Sequence, residues 1–409
     1  MRGHARYDAD TRCARAAVPQ RTWISRLSLT NFRNYAALSL AVDPRNVVLV
    51  GQNGAGKTNC LEALSLLNPG RGLRGQPHAS LARQGGDGTW AVAVKGHSGE
   101  QEFALGTGVA AGAVSARPSR TVRIDGAPAR SSGALAERLR LVWLTPAMDG
   151  LFTGPAAERR RFLDRIVLSF EPSFAAPAAA FERAMRQRNC ALEDGPHPSL
   201  LDSLELQMAE AATAIVFQRR AAVQALAELG AQRVFAAETA FPGFALGLQC
   251  ALDERVGEGS SAADIEDWYA QRLRLGRDRD RAAKRTLSGP HRSDLAVVHG
   301  VKQMAAALCS TGEQKALLLG LILAQARLVK TVNRGVAPLI LLDEVAAHLD
   351  ELRREALFGE IAALDAQAWM TGTDIAVFTP LAQGGSAQVF LVSNGAIRAV
   401  EDEESRHNH

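Results

Sequence analysis

Val47-Val48-Leu49-Val50-Gly51-Gln52-Asn53-Gly54-Ala55-Gly56-Lys57-Thr58 runs from uninterrupted apolar residues into glycines and ends on a lysine and a hydroxyl. The apolar part reads as a strand buried on both faces. The part from Gly51 to Thr58 is a complete phosphate-binding P-loop, GxxxxGK[ST]. Downstream, Asn59–Leu67 continues as a helix with Leu61, Leu64 and Leu67 on one stripe, and Asn68-Pro69-Gly70 stops it. A chance glycine turn lacks this strand, loop and helix context. In a P-loop, Gly51, Gly54 and Gly56 let the N–H groups of the Gln52, Asn53 and Ala55 neighbourhood turn toward a phosphate. Lys57 then reaches the β- and γ-phosphates, the Thr58 hydroxyl ligates Mg²⁺, and Asn59 opens the helix beside them.

Two further segments fit the same chemistry. Leu339-Ile340-Leu341-Leu342 is another buried strand, and it ends in Asp343-Glu344. Asp343 is placed to hold the Mg²⁺ hydration shell and Glu344 to polarise the attacking water. Alone, such a pair is also what two surface acids ending a strand look like. Ser310-Thr311-Gly312-Glu313-Gln314 opens a helix, with a serine cap and free amides that suit an anion, so Ser310 and Gly312 become γ-phosphate contacts. About 250 residues separate Thr58 from Ser310, so the nucleotide domain is split around an insertion the size of a small domain.

The remaining chain divides by texture. Trp23–Thr30, Leu38–Val42, Ala91–Lys95, Glu102–Leu105, Thr121–Ile124 and Leu141–Leu144 read as strands. From Gly154 to Arg285 alanine, leucine, glutamine and arginine dominate, with helical stripes at Phe162–Phe170, Ala178–Leu192 and Leu200–Phe235. Phe241–Leu252 interrupts them as a small strand or linker. After Leu287 the nucleotide pattern resumes, and Ala368–Thr371 and Val389–Val392 read as closing strands. The boundaries are therefore a disordered leader at 1–21, the first part of the ATPase domain at 22–153, a helical arm at 154–286, the second part at 287–400 and a tail at 401–409.

The 409 residues are nearly half apolar and carry a net charge of +4, which permits a nucleic-acid partner without demanding one. Five cysteines (Cys13, Cys60, Cys190, Cys250, Cys309) lie far apart, which points to a reducing cytoplasm rather than a zinc site or disulfide framework. No apolar run reaches the ~18 residues a membrane span needs. The arginine-rich leader lacks a hydrophobic centre, so it is no secretory signal. Its acids Asp8 and Asp10 count against a transit peptide.

The combination resembles the ABC-type ATPases of DNA repair, and within them the RecF family. The resemblance is carried by Asn31-Phe32-Arg33-Asn34-Tyr35, the P-loop with Leu61-Glu62-Ala63, Gly154-Pro155 with Arg159-Arg160, and Phe162-Leu163-Asp164. Gln187-Arg188-Asn189, Ser288-Gly289-Pro290-His291-Arg292 and the LLLDE strand with Asp350 add to it. It spans about Trp23 to Phe378. It departs at His348 and Ser293, where an acid is usual, at Thr371-Gly372-Thr373-Asp374, and at Ala147–Asp149, which has no acid directly after Thr145-Pro146 and so assigns no lobe-coupling acid or glutamine.

The resemblance implies an α/β fold: an ABC-type head with a mixed sheet, interrupted by the helical arm. It implies ATP and Mg²⁺ as cofactors, catalytic roles for Lys57 and Glu344, and an ATP-dependent homodimer in which Ser310 and Gly312 meet the partner's nucleotide. It also implies a slow, DNA-stimulated ATPase that clamps single-stranded or gapped duplex DNA, helps load recombinase, supports SOS induction and works with RecR and RecO. Arg159, Arg160 and Arg161, with Arg165, form one candidate DNA-binding cluster, and Arg277, Arg279 and Arg281, with Arg272, Arg274, Lys284 and Arg285, form another. A solvated helix face accounts for either equally well, since Asp278 and Asp280 interleave with the second. His291 and Arg292 either brace the signature loop or touch DNA. Other readings of the residues are a transport ATPase subunit, a non-hydrolysing DNA scaffold, or another SMC- or Rad50-like ATPase.

Overall fold

The P-loop strand lies at the centre of its sheet. In the computed structural model, which describes residues 21–110, 120–195, 197–234, 240–257, 259–346 and 349–400, the strand spans Asn46–Val50 and every residue of it is buried. The leader up to position 20, the tail from Glu401, Phe235 and His348 lie outside the described residues. Six strands order as Ala396–Ala399, Ala387–Ser393, Asn46–Val50, Ala368–Gly372, Leu339–Leu342 and Leu141–Leu144. All neighbours pair in parallel except the outermost hairpin, Ala387–Ser393 with Ala396–Ala399. The two strands read as closing elements from their late position in the chain thus flank the P-loop strand instead. Leu141–Leu144 forms the far edge.

A parallel sheet buried on both faces needs two apolar layers, and alternating side chains supply them. Val47, Leu49, Leu141, Trp143, Leu339, Leu341 and Trp369 face one core, built with helix Lys57–Ser65 and a six-stranded antiparallel sheet. That sheet orders as Tyr35–Ala41, Thr22–Phe32, Trp90–Ser98, Gln101–Val109, Thr121–Ile124 and Ala127–Pro128. Val48, Val50, Val142, Leu144, Ile340, Leu342 and Met370 face the other core, formed with the 22-residue helix Thr311–Val332 and with the arm.

The arm is helical, as its texture predicts: Ala156–Phe170, Ala175–Glu193, Pro198–Val234, Ala262–Leu275 and Arg277–Ala282. Pro198–Val234 has 37 residues, about 55 Å of helix. A three-stranded sheet stands beside these helices. In it Phe244–Gln249 pairs antiparallel with Asp294–His299, joining segments on either side of position 286. Among the described residues no helix is long and apolar enough to cross a membrane.

One buried arginine holds the arm helices together. Arg188 is fully buried, and its guanidinium donates to Glu205 Oε1 (3.0 Å), Asp280 Oδ2 (2.8 Å), Thr286 Oγ1 (3.0 Å) and the Leu273 carbonyl (2.8 Å). Asn189 Oδ1 accepts from the amide and hydroxyl of Thr286 beside it. Removing the cation strands the buried Asp280 carboxylate and leaves buried Glu205 with Arg277 alone. Arg188→Met is expected to lower stability by about 3–5 kcal/mol, read as a large drop in denaturant midpoint. A midpoint within experimental error of the parent would refute this role.

Candidate nucleotide site

The carboxyl edge of the parallel sheet gathers the loop and the acids. Gly51 follows the strand directly and donates its N–H to the Gly372 carbonyl (3.2 Å). A Cβ there would lie 2.2 Å from the Val392 carbonyl oxygen, so only glycine fits between the flanking strands. Gly56 has φ 117°, and a side chain on it would strike Asn34 and the Tyr35 hydroxyl. Gln52, Asn53 and Gly54 are exposed around the turn, with Ala55 half-buried. Among the described residues the amides of Asn53, Gly54 and Gly56 have no acceptor. They form an open cradle for an anion.

Lys57 is buried, and its ammonium closes on the loop itself. Nζ donates to the carbonyls of Gly51 (2.6 Å) and Gln52 (3.0 Å), with Glu344 Oε1 at 3.7 Å. Thr58 donates its hydroxyl to Asp343 Oδ1 at 2.8 Å, joining residues far apart in the chain. The strand between the P-loop strand and the acidic strand supplies Thr371. Its hydroxyl donates to the same oxygen at 2.8 Å and accepts the Glu344 N–H at 2.8 Å. Glu344 sits in the left-handed region, φ 53°, a conformation that costs a non-glycine residue and that this hydrogen bond holds. The half-exposed Glu344 carboxylate comes within 3.7 Å of the Lys57 ammonium.

Burial raises the Asp343 carboxyl above its usual range, and the nearby Glu344 charge adds to that, against the two threonine hydrogen bonds and Arg74. Thr58 and Asp343 offer two hard oxygens side by side, which suits Mg²⁺ completed by waters and phosphate oxygens. Among the described residues no cluster of three or more His, Cys, Asp or Glu could hold a metal without such help.

A hairpin turn of the antiparallel sheet supports the loop from below. The Tyr35 hydroxyl donates to the Gly56 carbonyl (3.1 Å), and Asn34 Nδ2 donates to the Ala55 carbonyl (3.0 Å). Asn59 donates to Asn34 Oδ1 (2.7 Å) and accepts from Arg74 (2.7 Å). Glu62, fully buried on the P-loop helix, is shared by Arg33 and Arg74. Burial pushes the Cys60 thiol up to about 12. It is a packed group under the loop that donates to Tyr35.

Ser310 caps helix Thr311–Val332 in a reciprocal box with Glu313. The Lys302 ammonium, then the Ser310 amide and hydroxyl, hold the Glu313 carboxyl down at about 2. Ser310 and Gly312 are exposed, and nothing lies within 4 Å of a Cβ built on Gly312. Lys315 pairs with Asp149 (3.6 Å), just past the Leu141–Leu144 strand. The opening turns of the helix are thereby tied to the segment that follows the far edge strand, three places from the P-loop strand in the sheet order. Among the described residues no hydrogen bond joins the serine to the P-loop.

Several candidate DNA arginines are committed within the fold. Arg159 forks onto Asp294 (2.7 Å) and donates to the Gly154 carbonyl (2.6 Å), and Arg160 donates to the Ser293 carbonyl (2.9 Å). Arg277 pairs with Asp202 and Glu205, and Arg281 with Asp278. Arg165 lies over Trp143 and Phe162, and burial lowers its guanidinium to about 9. Arg161 and Arg279 are exposed and make no ion pair among the described residues.

The RecF/RecN/SMC N terminal domain family matches residues 23–379. The DNA replication and repair protein RecF of Mesorhizobium japonicum is 50% identical over 386 residues, 94% of this chain and 100% of that protein. Its counterpart in Rhizobium rhizogenes is 51% identical over 381 residues, 93% and 99% of the two chains. The chain belongs to the RecF family. Its fold is that of a solved structure described as the recombination mediator protein RecF-ATPrS in the RecFOR pathway. The TM-score is 0.80 at 20% identity, over 94% of this chain and 100% of that one. An Smc head domain from Pyrococcus furiosus follows at TM-score 0.50 and 14% identity, over 94% and 97%. The fold class read from the motifs is thus the observed one: a mixed α/β head with a helical insertion.

Sequence reading missed Thr371, which entered only as a departure from the family pattern, and the Asn34–Tyr35 brace, which entered only as part of the resemblance. Asp343 gives a pH-dependent prediction. An acid with a raised folded pKa binds its proton more tightly when folded, so its contribution weakens stability as pH rises through the range between the unfolded and folded values. Asp343→Asn keeps an oxygen for both threonines and removes the buried charge. Without nucleotide its melting temperature should exceed the parent's at neutral pH, and the gain should vanish toward acidic pH. A lower melting temperature at neutral pH would contradict this.

Proposed function

We propose that this chain is an ATP-switched dimeric DNA clamp of recombinational repair and replication maintenance, acting in the cytoplasm. The observation that carries the reading is the split arrangement of the sheet edge. Thr58 and Asp343 meet within hydrogen-bond distance, while the serine cap of the long helix is exposed and its first turns pair with the segment after the far edge strand. A triphosphate in the Gly51–Thr58 cradle therefore has one side held by its own subunit and one side open. A second copy presenting Ser310 and Gly312 completes the site, and two-fold symmetry completes both sites at once. ATP binding then supplies dimerisation free energy, and hydrolysis withdraws it.

The chain's own groups have defined parts. The Lys57 ammonium donates to the carbonyls of Gly51 and Gln52 and has Glu344 as its counter-charge. Phosphate oxygens replace these contacts, and Glu344 is released to accept a proton from water. Thr58 and Asp343 are the groups that would hold Mg²⁺, which when bound neutralises charge on the phosphates. A site with one acid as sole base and a partner-dependent γ-phosphate contact fits slow turnover. The reading extends to loading recombinase at gapped DNA, to SOS induction, and to RecR and RecO as partners, on the strength of the family and of the RecFOR pathway named for the solved RecF structure.

Sedimentation tests the switch. Glu344→Gln with ATP should accumulate as a dimer while hydrolysis falls by about 10²-fold or more. Lys57→Met and Ser310→Arg should each stay monomeric. A Glu344→Gln protein whose monomer fraction ignores ATP would overturn the clamp, and a dimer that forms without turnover in the parent would favour a non-hydrolysing scaffold.

A further inference from the structure

The loop Ser288-Gly289-Pro290-His291-Arg292 is held from within by its carbonyls. Tyr269 donates to the Ser288 carbonyl (2.7 Å), Arg219 to the Pro290 carbonyl (2.6 Å) and Arg160 to the Ser293 carbonyl (2.9 Å). Gly289 has φ 140°, and a Cβ on it would lie 2.2 Å from the Tyr269 hydroxyl, so the loop is seated without slack. Two exposed arginines flank it. Arg292 is exposed and makes no ion pair among the described residues. Arg272, also exposed, bonds Ser288 Oγ through Nε (2.9 Å), and its guanidinium lies over the Trp268 ring at 5.3 Å. Arg255 lies over the same ring at 5.4 Å.

We propose that Arg272 and Arg292, set around Ser288 on this braced loop, form a contact site for the phosphate backbone of DNA on the arm. The inference rests on the clamp reading above, and it places the contact away from the arginines that the fold already uses. A guanidinium lying on an indole spends its face on the ring and keeps its N–H edge for an acceptor in its own plane. The Nη groups of Arg272 have no partner among the described residues, and Ser288 fixes the side chain at Nε. Such pre-ordering removes much of the entropy that a free arginine loses on binding. Of the carboxylates nearby, Asp253 is buried, Asp294 is paired with Arg159 and Asp164 with Arg219. Arg160 beneath the loop has its guanidinium lowered by burial and by Arg219 and Arg292, a sign of how crowded the positive charge is. A protein partner would seek a central apolar anchor, and the half-buried Trp268 ring is covered by two arginines. No group of the patch is placed to read base edges, so binding is indifferent to sequence.

The test is fluorescence anisotropy of a labelled gapped duplex across a salt series, with ATP. For the double variant Arg272→Gln and Arg292→Gln, the slope of log affinity against log salt should shrink by about 0.9 for each lost contact. ATP-driven dimerisation measured by sedimentation should stay at the parent level. Arg272→Lys with Arg292→Lys should restore the slope, because counterion release counts charges. Arg274→Gln is the control, since Arg274 points to the other side of the same helix and pairs with Asp202 (3.0 Å); it should leave the slope unchanged. A double variant with the parent's slope overturns the arm site while leaving the clamp standing. A parent protein that fails to bind the duplex removes both.

Discussion

One carboxylate oxygen closes the nucleotide domain. Asp343 Oδ1 accepts hydroxyls from Thr58 and Thr371. Thr58 opens the helix after the P-loop strand, Thr371 lies on the neighbouring strand and Asp343 ends the next. The whole arm separates Thr58 from the other two in the chain. Burial makes that carboxylate costly, so the two donors are the condition on which it can remain there. The P-loop helix, the intervening strand and the acidic strand are thereby fixed at one height along the sheet edge. The turn that follows, with Glu344 in a left-handed conformation bonded to Thr371, depends on the same contact.

Around this point the side chains of the site satisfy one another. Lys57 is neutralised by two carbonyls and an acid, Tyr35 and Asn34 take the carbonyls under the loop, and Glu62 balances two arginines. Unpaired buried charge is expensive. A loop that must release a lysine to its ligand therefore needs resting partners of moderate strength. The loop amides are the part left open, and they are what a phosphate needs.

The sequence disclosed the strands and the loop because their chemistry is local. Val47–Val50 is apolar at every position, Gly51 to Thr58 has a fixed spacing, and Ser310 with Glu313 is a local cap. Contacts made across the sheet were not legible. Thr371 looks like any polar residue ending a strand until the strand order places it between Thr58 and Asp343. Leu141–Leu144 is a plain apolar run whose parallel pairing with Leu339–Leu342 no spacing announces. Arginine-rich stretches were ambiguous for a related reason. Composition counts charges, whereas the fold decides that Arg159, Arg188 and Arg277 face carboxylates and Arg272 faces a tryptophan.

The alternation along Asn46–Val50 carries a consequence for what this chain can tolerate. Because Val47 and Leu49 serve one core and Val48 and Val50 the other, the strand has no idle face on which an extra residue could be hidden. Adding or deleting a single amino acid there would trade the two linings and at the same stroke raise or lower the glycine turn by about 3.3 Å. Length at this spot is thus quantised: the element that seats the triphosphate is also the ruler that sets its altitude.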